Sequence, residues 1–334
     1  MKKLGIIGYS NFSGLGNLIK NFRKNLPIDC QFIIKHPIKG TDLDIDCDFA
    51  LGSLEPTTEE FNEFLSLNPT HVIIVETPFN WEFIPLMKKR GIKIIYIPMI
   101  DCLRFNEMKY IDQIDTFIML NRIGFATAMQ NRIRKAEMLN YPVDTDYFEF
   151  KERDGNLFLH NAGYYELVKG NVDLHKGTDV VIAAFKRLKD RSLLINAMTE
   201  IPNVTPNIVV NITEFSEVRD IYSTGSIYIA PSRWEGLGLP SYEAMASGMA
   251  LITTNGPPMN ELPISNGLKI GCSPFSIPHG LGIGYWPDQV SLERIIENIS
   301  GQNIKEISYK NRDIIEKYYS WKVLKNNYEK AILI

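Results

Sequence analysis

The sequence predicts an α/β protein built from two Rossmann-like domains, and three observations lead to this expectation. Short apolar runs alternate with amphipathic stretches along the chain, as in parallel sheets covered by helices on both faces. The length of 334 residues fits two domains of about 150 residues each, with a cleft between the domains as the expected site. Residues 140–152 follow neither the strand nor the helix period, so we expect the linker there.

The apolar runs of the first half predict strands, and two amphipathic segments, 59–67 and 83–90, predict helices. The predicted strands are residues 4–7, 31–34, 71–75, 92–97 and 116–120. The second half repeats this alternation, with strands at 157–160, 192–195, 207–210, 226–230 and 250–253, a helix at 178–188 and a helix beginning at Glu214. We therefore predict domains at 1–150 and 151–305, followed by C-terminal helices at 306–334 that break near Ser320 and cross back to the first domain.

Composition narrows the class of protein. Hydrophobic residues make up 45% and charged residues 22% of the chain, which argues against disorder, and the formal charge of −3 argues against a polycation. Nucleic acid is therefore a less favoured partner that would need one of two local basic groups. These are Lys88, Lys89, Arg90 and Lys93, and Arg122, Arg132, Arg134 and Lys135.

The four cysteines have no paired or metal-type spacing, and the apolar run after Lys3 is too short for a signal peptide or a membrane span. We expect reduced thiols and a cytoplasmic protein without a transmembrane segment. Peripheral contact with a membrane surface stays compatible with the sequence.

The segment 230–261 is the most informative part of the chain, and it is predicted to form a strand, a glycine loop and a helix. Pro240 is expected at the first helical position and Gly248 at the C-terminal cap. The opening amide groups of this helix then face the loop that contains Gly236 and Gly238. Free amides at a helix N-terminus beside glycines favour a phosphate group.

Two carboxylates accompany this loop. Glu235 precedes it and Glu243 is expected in the first helical turn, so both side chains are expected to reach one ligand. A carboxylate accepts hydrogen bonds from two hydroxyl groups at once, which suits the diols of a sugar or a ribose. Phosphate bound by backbone amides and hydroxyls bound by carboxylates together indicate a nucleotide sugar.

Residues 232–261 closely resemble the donor-site signature of retaining GT-B glycosyltransferases, especially glycosyltransferase family 4. The shared pattern is Pro-Ser-x-x-Glu-Gly-Phe-Gly-Leu-Pro-x-x-Glu-Ala-Met-Ala-x-Gly, in which Leu237 replaces the usual phenylalanine. The resemblance implies a GT-B fold, with Glu243 on the ribose hydroxyls and Glu235 on the donor sugar. It also implies that the sugar and diphosphate lie along the amides of Gly236, Leu237, Gly238 and Leu239.

A second part of the chain agrees with this family. Lys176 and Gly177 precede a predicted helix that ends in Ala-Phe, and the resemblance implies that the lysine holds the donor diphosphate and stabilises the leaving nucleotide. The chain departs from the family after the strand at 157–160, where an arginine is usual and the sequence continues to Gly163, a further candidate for donor binding. The second cation is therefore unassigned, with Lys169 and Arg233 as candidates.

In the first domain, Gly14 and Gly16 lie between a predicted strand and an amphipathic helix, and the resemblance implies that this loop faces the donor phosphates. The glycine spacing differs from the dinucleotide-binding fingerprint. Glu76 and Asp101 follow predicted strands, at the strand ends where ligands of such sheets gather. Many relatives carry a histidine near Asp101, and here Asp101 is the candidate acceptor base.

Asp42, Asp44 and Asp46 form an Asp-x-Asp run that we interpret as a solvated loop, so no metal site is predicted. The predicted function is retaining, metal-independent transfer of a hexosyl or pentosyl group from a nucleotide diphosphate sugar, a co-substrate, to a hydroxyl acceptor, with no cofactor. Three alternatives stay open: a GT-B epimerase or phosphorylase, a glycosyltransferase that modifies hydroxylated DNA bases, and a non-catalytic nucleotide-sugar-binding protein.

Overall fold

The computed structural model describes residues 2–37, 40–102, 109–163, 166–167, 171–172, 174–278, 280–299 and 301–333. The chain divides into two compact units. The first unit runs to Pro142 and adds Gly280, Leu281 and the segment from Trp321 onwards, and the second comprises Val143–Pro278 and Gly282–Ser320.

The described strands and helices follow one another along the chain. The strands are β1 (Leu4–Tyr9), β2 (Ile28–Ile34), β3 (Asp48–Gly52), β4 (His71–Glu76), β5 (Lys93–Pro98), β6 (Thr116–Met119), β7 (Ala136–Met138), β8 (Phe158–Gly163), β9 (Glu166–Leu167), β10 (Asn171–Val172), β11 (Leu193–Ala197), β12 (Ile208–Ile212), β13 (Ile227–Ala230), β14 (Ala250–Thr254), β15 (Lys269–Ile270), β16 (Cys272–Ser276) and β17 (Ile283–Pro287). The helices are α1 (Gly14–Asn25), α2 (Thr58–Ser66), α3 (Phe83–Lys89), α4 (Arg122–Gln130), α5 (Thr178–Arg187), α6 (Leu239–Ala246), α7 (Gln289–Ile299), α8 (Ile304–Tyr318) and α9 (Trp321–Leu333).

The first unit contains a parallel sheet in the order β3-β2-β1-β4-β5-β6-β7. Its core includes a cluster of phenylalanines on one side of β2, in which the rings of Phe61 and Phe83 stack with centroids 3.9 Å apart. Helix α2 begins with a capping box, since Thr57 and Glu60 each accept a hydrogen bond from the other's backbone amide. Fixed helix ends and a dense aromatic core give this unit a rigid frame.

The second unit contains a parallel sheet in the order β12-β11-β8-β13-β14-β15, and β9–β10 and β16–β17 form two antiparallel hairpins. Helix α6 is buried along most of its length. On α8, Asn311 donates a hydrogen bond to the Met249 carbonyl at 2.9 Å, and Arg312 donates one to the Ala246 carbonyl at 2.7 Å. Helix α8 therefore anchors the C-terminal end of α6.

The two parallel sheets confirm the predicted α/β class. Several elements were not predicted from the sequence: β3, β7, β9, β10, β15, β16, β17, α4 and α7. The helix predicted from Glu214 is wrong, because the chain there forms a 3₁₀ turn at Val218–Tyr222. The amides of Asp220 and Ser223 each bond to a carbonyl three residues earlier, and Gly225 then takes a left-handed conformation that ends the turn.

The C-terminal helices differ from the predicted boundaries. The break near Ser320 is present, since α8 ends at Tyr318 and α9 begins at Trp321. Helix α8 belongs to the second unit, whereas the segment from Trp321 belongs to the first. The division after Pro142 lies inside the predicted linker segment 140–152.

Helix α9 is fixed to the first unit by Trp321, which is 5% exposed. Its indole Nε1 donates to Asn21 Oδ1 at 2.7 Å, and its ring meets the edge of Phe22 with centroids 5.5 Å apart. Tyr328 lies about two turns further along α9. Its hydroxyl donates a hydrogen bond to the Asn140 carbonyl at 3.0 Å. The helix therefore completes the core of this unit.

We predict that Trp321→Ala lowers the free energy of unfolding of the first unit by about 3–5 kcal/mol, because it removes a buried aromatic ring and the shorter of two hydrogen bonds that Asn21 Oδ1 accepts. Urea titration of the full chain, followed by tyrosine and tryptophan fluorescence, measures this change. The matched control is Val323→Ala on the same helix, whose side chain is 50% exposed, with an expected change within about 0.5 kcal/mol. Equal midpoints for the two variants would contradict the docking of α9.

Candidate functional site

A pocket of the second unit lies where the strand order reverses. Strands β8 and β13 are neighbours, and the chain continues from β8 to β11 on one side and from β13 to β14 on the other. Connections leave in opposite directions at such a point, which opens a crevice at the carboxyl ends of the two strands. The pocket there encloses about 450 Å³, part of it open to solvent. Its lining consists of His160, Asn161, Gly163, Lys176, Tyr228, Ala230, Ser232, Glu235, Gly238, Pro240, Ser241 and Met259.

Lys176 and Glu235 meet in this pocket. The distance from Lys176 Nζ to Glu235 Oε1 is 2.6 Å, and Ser232 Oγ donates to the same oxygen at 2.7 Å. His175 Nε2 lies 3.8 Å from Glu235 Oε2. Burial raises the pKa of Glu235, but the charges of Lys176 and His175 and the two hydrogen bonds outweigh burial and hold the pKa below its ordinary value. Glu235 is therefore an ionised carboxylate beside a lysine.

Backbone geometry fixes the position of Lys176. The next residue, Gly177, has a left-handed φ of 67° and caps helix α5. A Cβ at Gly177 would lie 2.2 Å from the Pro231 carbonyl oxygen, closer than any side chain tolerates. Glycine is thus required here so that the start of α5 can approach the end of β13.

The glycine loop leads into α6 with a small shift from the predicted helix start. Gly238 takes a left-handed φ of 81° at the cap, so α6 begins at Leu239. Pro240 is then the second helical residue and Glu243 begins the second turn, whereas the sequence predicted the first position and the first turn. Gly248 caps the other end with a φ of 85°, as predicted. Gly238 lines the pocket, and Leu237 in the same loop is buried.

Glu243 is buried, at 5% exposure, and is not among the residues that line the pocket. Tyr222 donates a hydrogen bond from its hydroxyl to Glu243 Oε2 at 2.5 Å. Burial raises the pKa of Glu243 to about 7, against the opposing effects of the Tyr222 hydrogen bond and the charge of Lys176. The pKa values of the two predicted glutamates are therefore shifted in opposite directions, although the residues stand in one loop and helix.

The sequence did not single out two residues of this site, His160 and Tyr222. His160 is 1% exposed in the middle of β8, with Nδ1 2.8 Å from the Ile229 carbonyl and Nε2 2.8 Å from Thr178 Oγ1. Burial lowers its pKa to about 4, so the ring is neutral at pH 7 and ties β8 to β13 and the start of α5. A polar residue directly after the apolar run Leu157–Leu159 is the signal in the sequence that marks it.

Arg233, a candidate for the second diphosphate-binding cation, already has a carboxylate partner. Its guanidinium donates to both carboxylate oxygens of Asp179, at 2.9 and 2.7 Å, and lies 4.5 Å from the ring centroid of Trp286. With 2% exposure, it acts as a structural clamp. The other candidate, Lys169, lies outside the described residues.

The predicted residues of the first unit lie at two loops of its sheet. Gly14 and Gly16 begin α1, where Ser13 caps the helix by accepting from the Gly16 amide at 3.0 Å. A Cβ at Gly16 would lie 2.2 Å from the Asn11 carbonyl oxygen, so the turn itself requires this glycine. At Gly14, by contrast, an added Cβ would have no other atom within 4 Å, so the space there does not require glycine.

Asp101 follows β5 and stands near Glu76, the last residue of β4. Burial raises the pKa of Glu76, and the charge of Asp101 raises it further. Cys102 donates from Sγ to Glu76 Oε1 at 3.6 Å. The structure thus brings the candidate base Asp101 together with a second carboxyl group that has an elevated pKa.

The described residues lack two features that are typical of other classes of protein. Within these residues, no group of three or more His, Cys, Asp or Glu side chains is arranged to hold a metal ion. None of the described helices combines the length and the apolar character needed to cross a bilayer.

Comparison with known proteins gives the site a family context. Residues 167–272 match the family model described as "Glycosyl transferases group 1". This segment includes Lys176, Glu235 and Glu243. A search of curated protein sequences finds no match to the chain.

Solved structures of glycosyltransferases are similar over the whole chain. A glycosyltransferase from Rickettsia africae has a TM-score of 0.71 and 15% identity, covering 99% of this chain and 98% of its own. The Anabaena protein HepE, in complex with UDP, has a TM-score of 0.69 and 10% identity, with both chains covered completely, at 100%. The catalytic domain of starch synthase IV from Arabidopsis thaliana, bound to ADP and acarbose, has a TM-score of 0.63 and 12% identity, covering 99% of each chain. Residues 167–272 are therefore similar to a group 1 glycosyltransferase domain, and the chain shares the GT-B fold of these solved structures.

Proposed function

We propose that the protein is a retaining, metal-independent glycosyltransferase of the cytoplasm that moves a hexosyl or pentosyl group from a nucleotide diphosphate sugar to a hydroxyl acceptor. The observation that carries this proposal is the pairing of Lys176 with Glu235, at 2.6 Å, in a pocket at the switch point of the second sheet. A cation for phosphate and a carboxylate for hydroxyl groups are held there by rigid backbone.

Lys176 is assigned to the donor diphosphate. An ammonium group has three donors, and Glu235 Oε1 occupies one of them; within the described residues, the other two remain for phosphate oxygens. The charge on the leaving nucleotide grows as the bond to the sugar breaks, and a cation that is already in place lowers the energy of that transition state. The opening amides of α6, beside Gly238, add positive potential from the helix dipole.

The two glutamates are assigned to hydroxyl groups of the donor. Glu235, ionised in the pocket wall, accepts from the sugar, and Glu243 accepts from the ribose. In the proposed front-face displacement, the acceptor hydroxyl attacks the anomeric carbon from the same side from which the nucleoside diphosphate leaves. A phosphate oxygen of the leaving group takes the proton of the acceptor hydroxyl. The sugar then keeps its anomeric configuration. Asp101, beside Glu76, is assigned to the acceptor hydroxyl in the first unit.

The alternative of a DNA-modifying glycosyltransferase has less support. Of the first basic group, Lys88 donates to both carboxylate oxygens of Asp115, at 3.0 and 2.8 Å, and Lys93 lies 3.9 Å from the same side chain. Paired lysines release fewer counterions on binding phosphate. Another alternative, a non-catalytic nucleotide-sugar-binding protein, differs from a glycosyltransferase in that it binds the donor without releasing nucleotide, and the next experiment measures both.

We expect one sugar nucleotide to stabilise the protein and to be hydrolysed slowly with EDTA present. A thermal-shift screen with UDP-, GDP-, ADP-, CDP- and dTDP-sugars measures the first effect, and release of the nucleoside diphosphate measures the second. A ligand at a hundred times its Kd adds about 2.7 kcal/mol of stability, which raises the Tm by several degrees. Stabilisation without nucleotide release would support a non-catalytic binding protein, and no response to any donor would contradict the proposal.

Lys176→Ala is expected to lower kcat for donor hydrolysis by about 10²–10³-fold, with a much smaller loss of donor affinity, because the lysine acts mainly on charge that develops in the transition state. Glu243→Ala is expected to weaken nucleotide binding instead. Steady-state kinetics and calorimetric titration separate the two effects. Lys186→Ala, an exposed lysine on the same helix as Thr178, is the matched control and should behave as wild type. Unchanged kinetics in both site variants would remove these assignments.

Retention is tested by the configuration of the first sugar released. ¹H NMR of the anomeric proton, recorded before mutarotation during hydrolysis of an α-linked donor, should give the α-anomer. Release of the β-anomer would indicate inversion and would exclude front-face displacement.

A further inference from the structure

Tyr222 and Glu243 form a buried polar pair, and the two residues belong to different elements. Tyr222 ends the 3₁₀ turn at Val218–Tyr222 and is 1% exposed, and Glu243 lies on α6. Their hydrogen bond, from the hydroxyl to Oε2, measures 2.5 Å. Among the described residues, Tyr222 is the hydrogen-bond donor to the Glu243 carboxyl group, and the bond reaches Oε2 rather than Oε1.

The surroundings of Tyr222 hold its ring in place. Arg153, 7% exposed, donates to the Tyr222 carbonyl at 2.6 Å and to the Gly225 carbonyl at 2.8 Å. The ring of Tyr222 meets Tyr228 and Phe148 edge to face, with centroids 5.8 and 6.0 Å apart. Because the backbone and both sides of the ring are fixed, the hydroxyl has little freedom to follow a moving carboxylate.

Charged and titratable groups approach Glu243 from each neighbouring element. Lys176, before α5, and Tyr228, on β13, interact with its carboxyl group electrostatically. At the other end of α6, Arg153 lies 3.4 Å from the Ser247 carbonyl, and Arg312 of α8 bonds to the Ala246 carbonyl. Both guanidiniums thus bind backbone oxygens. Tyr222 therefore provides the direct hydrogen bond among the described residues that favours the ionised form of Glu243.

We propose that Tyr222 is a positioning residue for donor binding: its hydroxyl holds Oε2 of Glu243, favours the ionised form of the carboxyl group and leaves Oε1 to accept a hydrogen bond from the ribose. This inference rests on the assignment of Glu243 to the ribose under the proposed function. A protonated carboxyl group loses one acceptor and presents an O–H instead, so it binds a pair of hydroxyl groups less well.

The pH dependence follows from the direction of the shift. Burial raises the pKa of Glu243 to about 7, so affinity for the donor is expected to rise with pH through about 7. The Tyr222 hydrogen bond opposes this increase. Without this hydrogen bond, the pH midpoint of the rise in donor affinity moves up by about one to two pH units. This is the size expected for a hydrogen bond to a charged group.

The experiment measures the affinity for UDP-glucose by calorimetric titration between pH 6 and 8.5, or for another sugar nucleotide of the screen if wild type binds it more tightly. For Tyr222→Phe we expect about five- to fiftyfold weaker binding at pH 7 and partial recovery at pH 8.5. Glu243→Gln should bind weakly at every pH. Tyr309→Phe, which removes an exposed 2.7 Å tyrosine–glutamate hydrogen bond to Glu152 in the same unit, is the matched control and should follow wild type.

Two results would overturn the inference. The first is a Tyr222→Phe profile identical to wild type, and the second is a loss of affinity that is the same at all pH values, which indicates a structural role alone. If wild type binds no sugar nucleotide, the proposed function fails, and a ligand-free measurement decides the coupling between Tyr222 and Glu243.

This second measurement is the Tm as a function of pH. A carboxyl group with a raised pKa contributes stability below its unfolded pKa and loses it as pH rises through the folded pKa. Relative to Glu243→Gln, wild type should lose stability up to about pH 7 and then level off. Tyr222→Phe should continue to lose stability above pH 7, and equal curves would show that Tyr222 does not act on Glu243.

Discussion

The desolvated carboxylate of Glu235 is the constraint on which the rest of the site depends. An ionised group in a buried position is strongly destabilising unless a cation and hydrogen-bond donors surround it. Lys176 and Ser232 supply these contacts. Lys176 in turn needs the close approach of Gly177 to Pro231, and the adjoining start of α5 is tied to β8 through His160 and Thr178. One carboxylate thus requires β8, β13 and α5 to meet in a single arrangement.

The second carboxyl group of the same segment has the opposite environment. Glu235 has a lysine within hydrogen-bonding distance, and its pKa is lowered, whereas burial raises the pKa of Glu243 despite the opposing hydrogen bond from Tyr222. Neighbouring carboxyl groups with pKa values pushed apart are suited to different tasks. The two glutamates are only eight positions apart in the sequence. Their environments differ because one residue lies in the glycine loop and the other on a buried helix.

The sequence alone predicted the α/β class, most strands and the segment that forms the pocket, because apolar period and the glycine loop are local signals. Contacts between distant positions left no such signal. Arg233 was a candidate cation because its sequence neighbours do not reveal Asp179, which neutralises it. Tyr222 was hidden inside a stretch predicted as a helix, and its relation to Glu243 depends on how the 3₁₀ turn packs on α6. Strand β3 was missed because Asp48 and the exposed Phe49 and Leu51 break the expected pattern of an inner strand.

The return of the chain to the first unit at Trp321 affects how the protein forms during translation. Helix α1 with its Phe22 emerges from the ribosome early, but the helix that covers it, α9, follows the entire second unit. At synthesis rates of about 5–20 residues per second, the apolar surface around Phe22 stays uncovered for roughly tens of seconds. The second unit, whose residues lie almost entirely in one continuous stretch, has its own core before then. The core of the first unit is therefore completed only after α9 has been made and has covered Phe22.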